Sequence, residues 1–162
     1  MARSVFYSFH FDRDFSRTQL VRNLGAINGN QVATANKWEE VKRNGDAAIK
    51  SWIKTNLTGK TCLVVLAGSH TANRKWINFE IEEAWRRGLG VTCMNIHKLK
   101  DLAGNQSSLG ANPLYYATSA SGNRISTLAN RYDPPRETSK GVYAWIENYL
   151  PAAIDEAIAA RK

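Results

Sequence analysis

The residue best suited to chemistry in this sequence is a carboxylate placed among apolar neighbours. In the segment Trp76-Ile77-Asn78-Phe79-Glu80, read as a helix at about 100° per residue, Trp76, Ile77, Ile81, Ala84 and Trp85 share one broad arc. Glu80 points between Trp76 and Ala84, whereas Glu82 faces away from that arc. A carboxylate held among apolar groups is costly to ionise unless it is paired, and such positions are enriched in functional acids. The plainer alternative is a half-exposed Glu80 in an ion pair with Lys75, Arg87 or a residue from elsewhere. Trp76, four residues before Glu80, is placed to pack beside it and to support a flat ring, or else is simply a core tryptophan.

A lone carboxylate beside an indole suits cleavage of an N-glycosidic bond. When nicotinamide leaves the ribose of NAD, the sugar gains oxocarbenium character, which one well-placed carboxylate can stabilise. The leaving group is already cationic, so no strong general acid is required.

Other chemistries find less support. All three histidines follow apolar runs that read as strands: His10, His70 and His97. They could bind a metal, act in acid–base steps or cap loops, but their spacing matches no metal-ligand motif. His10 is the one best placed to line a pocket, because it leaves the first strand beside Ser8 and Phe9. No glycine-rich dinucleotide fingerprint and no phosphate loop is present, which disfavours hydride transfer and nucleoside triphosphate hydrolysis. Ser69-His70 lacks the surroundings of a nucleophile elbow and reads as a turn. Cys62 and Cys93 lie inside apolar runs and read as small buried side chains in a reducing compartment.

The elements that must position these groups follow from the pattern. The predicted strands are 4–9, 61–67 and 91–96, with Gln31-Val32-Ala33-Thr34 a short candidate. The predicted helices lie between Asp12 or Asp14 as cap and Gly25, from Gly45-Asp46 to Gly59, over 73–87, and from about Ser139 onward with a break or kink at Pro151. The continuous run Thr61-Cys62-Leu63-Val64-Val65-Leu66-Ala67 suits a central parallel strand covered on both faces. Alternating strands and helices predict an open α/β sheet, in which ligands bind beyond the carboxyl ends of the strands. Residues 104–123 are rich in Gly, Asn and Ser and read as a long surface loop, either flanking a pocket or a mobile excursion. A weak strand or turn is expected around Arg124–Leu128.

The chain has 162 residues, 43% of them hydrophobic and 22% charged, which fits one globular domain over 1–162. No stretch resembles a membrane span or a signal peptide, so the expected location is the cytoplasm. The net charge of +8 favours an anionic partner. The basic residues are scattered, which points to a small anionic ligand and disfavours nucleic acid.

Over about residues 4–113 the sequence resembles TIR domains, and most closely the bacterial TIR-like family of Thoeris anti-phage defence. The resemblance rests on Val5-Phe6-Tyr7-Ser8-Phe9-His10, Arg22-Asn23-Leu24, Ala48-Ile49-Lys50-Ser51-Trp52-Ile53 and the Cys62 strand through Gly68. It continues through Thr71, Arg74-Lys75-Trp76-Ile77-Asn78-Phe79-Glu80-Ile81, Asn95-Ile96-His97, Asp101, Gly104 and Gly110-Ala111-Asn112-Pro113. The Trp-x-x-x-Glu-Ile piece is the most specific. The resemblance implies a flavodoxin-like, mainly parallel sheet with helices on both faces, and NAD as substrate rather than cofactor. It also implies Glu80 as the catalytic residue, with Ser8, Phe9, His10 and Trp76 about the substrate. The implied product is a cyclic or modified ADP-ribose that diffuses to a separate effector, after a phage-derived trigger and with association into homo-oligomers. Many TIR domains carry arginine where His10 stands, which leaves the phosphate-contacting group open. Two other functions compete: a non-catalytic TIR interaction module, and an enzyme similar to nucleoside deoxyribosyltransferases. The loop and helix over 114–162 extend beyond the resemblance.

Overall fold

In the computed structural model, residues 4–24, 28–29 and 40–162 are described. The chain runs β1 (Ser4–Ser8), α1 (Phe11–Arg22), β2 (Asn28–Gly29), α2 (Asp46–Leu57), β3 (Cys62–Ala67), α3 (Lys75–Arg86), β4 (Gly90–Asn95), β5 (Arg131–Tyr132) and α4 (Ser139–Ala159). Short 3₁₀ turns at Pro113–Tyr116 and Ile125–Thr127 precede β5. The candidate strand over 31–34 lies outside the described residues.

The strands form one parallel sheet in the order β2-β1-β3-β4-β5. This is the flavodoxin-like order, and it follows from the sequence of β3 and β4. Every residue of both strands is buried, as a strand covered on both faces requires. Side chains alternate between two cores. Cys62, Val64 and Leu66 pack with Val5, Tyr7, Val21 and the α4 residues Val142, Ile146, Leu150 and Ile154. Leu63, Val65 and Ala67 pack with Phe6, the α2 residues Ile49 and Ile53, and the α3 residues Ile77, Ile81 and Ala84. The predicted α/β class with helices on both faces is therefore the observed one.

Two local expectations are corrected. Neither Asp12 nor Asp14 caps α1; His10 holds the cap position with no side-chain bond. Asp14 is buried and accepts a 2.9 Å hydrogen bond from Arg17 Nη1, while Arg17 Nε donates to the Leu99 carbonyl at 2.7 Å. A buried pair tying α1 to the segment after β4 outweighs the cap. Pro151 does not interrupt α4, which runs on to Ala159. The proline gives up one backbone bond, and the buried Leu150, Ala153 and Ile154 beside it hold the helix on the sheet. Around Arg124–Leu128, where a weak strand or a turn is expected, the chain takes the turn, a 3₁₀ turn over Ile125–Thr127.

Candidate functional site

The strand order reverses direction between β1 and β3, and a crevice opens there at the carboxyl ends of the strands. Ser8, the last residue of β1, pairs in register with Val65 of β3 and is fully buried. Alternation along β1 places Ser8 on the same face as Phe6, the face covered by α2 and α3. The chain then turns outward through Phe9 and His10 into α1.

Helix α3 approaches the same crevice. Asn73, at φ 59°, is the one non-glycine residue with positive φ among the described residues, a conformation asparagine tolerates well. It turns the chain so that α3 begins with Arg74 at its cap position. One and a half turns on, Glu80 enters the protein between Ile77 and Ile81 on the buried face. The local sequence dictates this placement, because the apolar stripe must face the sheet and carries Glu80 with it.

Glu80 is 8% exposed and accepts a 2.7 Å hydrogen bond from Ser8 Oγ. No cation of the described residues pairs with it. Lys75 bonds instead to Asp46 at 2.6 Å, and Arg87 bonds to Glu83 at 2.8 Å, so the surface ion-pair alternative is not what the structure shows. Burial raises the carboxyl to about 8, and the Ser8 hydroxyl only partly opposes that rise. An empty site thus holds mainly the neutral acid at pH 7. A cation brought alongside would favour ionisation.

A cavity of about 220 Å³ opens above Glu80, lined by residues that include Phe9, His10, Phe11, Trp52 and Trp76. Lys42, Arg74, Lys75 and Asp12 line it as well. Trp76 packs edge-on to Phe79, with ring centroids 5.9 Å apart, and Lys75 Nζ lies 4.8 Å from the Trp76 ring centroid. Aromatic walls over a buried carboxylate, with cationic groups in the same lining, can hold a flat ring, a developing sugar cation and an anionic tail together.

The five residues singled out in the sequence meet here. Phe9, His10, Trp76 and Glu80 line the cavity, and Ser8 lies beneath, bonded to Glu80. His10 is held below its usual imidazole range, first by burial and then by the nearby Arg74 charge. His70 is exposed beside Ser69 and, like His10, acts on the Asp14 carboxyl, His97 is buried beyond β4, and among the described residues no group of three or more side chains could hold a metal ion. The loop over 104–123 lines none of this cavity. It buries Leu114 and Ala117 against the α3 side of the sheet, and Thr118 donates its backbone N–H to Glu82 at 2.8 Å. Glu82, ordinary in the sequence, therefore anchors a loop. Lys42, Trp52 and Arg74 escaped notice as cavity residues, because no local signal shows that three distant segments converge.

Comparison with known proteins agrees with this architecture. The family profile described as Thoeris protein ThsB, TIR-like domain, matches residues 6–101. A protein of Bacillus cereus (strain MSX-D12) named "Putative cyclic ADP-D-ribose synthase ThsB1" is 38% identical over 122 residues, covering 72% of this chain. The match spans 63% of that protein's length. With the parallel sheet in place and the profile covering more than half its length, this chain belongs to the Thoeris ThsB TIR-like domain family.

Proposed function

We propose that this protein cleaves the nicotinamide N-glycosidic bond of NAD and rejoins the ADP-ribose unit as a cyclic or modified ADP-ribose signal. One observation carries the proposal: a buried carboxylate with no cationic partner among the described residues, held by Ser8 at 2.7 Å, faces an aromatic-walled cavity at the reversal point of the sheet. The name of the Bacillus cereus relative supports the same product class.

In this mechanism Trp76 supports the nicotinamide ring and Phe9 and His10 shape the opposite approach. The positively charged pyridinium favours the ionised form of Glu80, whose proton passes to solvent as the substrate enters, leaving a carboxylate beside the ribose. The C–N bond breaks with its electron pair passing to the ring nitrogen, so neutral nicotinamide leaves and the sugar becomes an oxocarbenium ion. Glu80 stabilises that cation in a site of low dielectric. A nucleophile within the ADP-ribose unit then closes the ring, or water intercepts the cation to give linear ADP-ribose with loss of a proton. NAD is the substrate, and no cofactor is invoked.

The diffusible product would activate a separate effector in anti-phage defence, with a phage-derived trigger and homo-oligomerisation as regulators. The cationic cavity lining favours a phosphate-bearing substrate over the uncharged nucleosides of a deoxyribosyltransferase. Among the described residues no helix is long and apolar enough to cross a membrane. The packing of α4 on the sheet supports treating the chain as one domain, and a cytoplasmic location is part of the same proposal.

The test is incubation of purified protein and of a Glu80→Gln variant with NAD, with and without lysate from infected cells. Mass analysis separates nicotinamide, ADP-ribose and its cyclic isomers. Nicotinamide release that depends on Glu80 supports the assignment. Equal release by the folded variant refutes it.

A further inference from the structure

We propose that Arg74 forms the subsite for the diphosphate of the dinucleotide. The inference rests on the NAD reading above and assigns the group that recognises the substrate's charge.

Four cationic or potentially cationic side chains line the cavity: His10, Lys42, Arg74 and Lys75. Two are poorly suited to an anion. The Lys75 ammonium is already engaged, 2.6 Å from Asp46 and 4.8 Å from the Trp76 ring centroid. Burial first, and the adjacent Arg74 charge second, hold the His10 imidazole below its usual range, which disfavours its cationic form. A neutral imidazole can donate one hydrogen bond but brings no charge to a diphosphate.

Arg74 differs from both. Its Nε donates to the His70 carbonyl at 2.9 Å, which fixes the plane of the guanidinium. No carboxylate among the described residues pairs with it, so its two terminal nitrogens stay available as a fork. Such a fork matches two phosphate oxygens in a way a lysine does not. Its position also suits the chemistry. Six residues separate Arg74 from Glu80, an axial rise of roughly 9 Å along α3. The arm of a ribose from its anomeric carbon to its 5′-phosphate bridges a gap of that order once the two side chains reach inward. The acid and the arginine thus fall at the two ends of one nicotinamide ribose phosphate. Arg74 is exposed at the rim and makes no buried contact, so its replacement leaves the fold intact.

The experiment is calorimetric titration of the full chain with ADP-ribose, which carries the diphosphate and needs no turnover. Wild type, Arg74→Gln and Arg74→Lys are compared at two ionic strengths, with thermal melts as a fold control. The glutamine variant is expected to bind at least about tenfold more weakly, with the lysine variant between the two. Raising the salt weakens wild-type binding more than that of Arg74→Gln. Equal affinity of wild type and Arg74→Gln, or no binding to wild type, overturns the proposal. The two functional statements fail separately. Nicotinamide release by Arg74→Gln at an unchanged KM would remove the subsite and leave cleavage standing. Absence of NAD turnover with Arg74-dependent ADP-ribose binding would remove cleavage and leave the subsite.

Discussion

Replacing Glu80 by glutamine separates what the charge does for reaction from what it costs the fold. The amide keeps the shape and still accepts from Ser8, so the variant should fold while NAD turnover falls by about 10²-fold or more, measured as nicotinamide release. Its stability should move the other way. The folded carboxyl is raised from 4.5 to about 8, so the stability that the neutral Glu80 contributes is fully present below pH 4.5 and is lost as pH rises through about 8. Melts at pH 8.5 should show Glu80→Gln more stable than wild type by on the order of a few kcal/mol, with the gap closing near pH 5. A constant gap across that range would refute the ionisation cost. Turnover has the opposite slope: kcat/KM of the free enzyme should climb with pH through about 8 as the carboxylate forms. Ser8→Ala removes the donor that favours ionisation, so its acid limb should lie at higher pH, a shift that a purely structural defect would not produce. Glu80 was legible because a carboxylate inside an apolar stripe violates a local rule. Arg74 and Lys42 were not, since exposed charges at positions 42 and 74 look alike until the chain brings them to one rim. Asp14 misled for a similar reason: a good capping residue is equally good at neutralising a buried arginine.

The central strands were legible from composition, because β3 is apolar throughout and β4 mostly so, as a sheet covered on both faces requires, whereas the two-residue edge strands β2 and β5 carry no such run. Connections were harder. The loop over 104–123 reads as polar surface, yet Leu114 and Ala117 are fully buried, and Gly110 passes so close to Ser69 that an added Cβ would lie 2.6 Å from its carbonyl oxygen. Helix α4 is seated with equal closeness. A Cβ on Gly90 would come within 2.7 Å of the Ala157 backbone, which has no soft side chain to give way. Gly90→Ala should therefore push α4 from β4 and cost about 2–3 kcal/mol, read from denaturant midpoints, with the aromatic cavity on the other face largely unaffected. No change in midpoint would show that α4 adjusts freely.

At the scale of the whole chain, the family match ends at residue 101, well before α4 begins. Five α4 residues, Val142, Ile146, Leu150, Ile154 and Ile158, belong to the core that covers one face of the sheet. A fragment ending at residue 113 keeps every lining residue of the cavity but exposes that face. It should lack a cooperative thermal transition, whereas the full chain should show one. The open α/β class was foreseeable from alternation of strand and helix, while the dependence on α4 was not, because its apolar spacing says only that the helix is buried and not what it covers. The aromatic walls carry one more consequence. Trp52 and Trp76 border the cavity, so arrival of a purine or pyridine beside them should quench their emission under ultraviolet excitation. The protein carries its own optical gauge of occupancy, and no attached dye is needed to follow a ligand entering in real time.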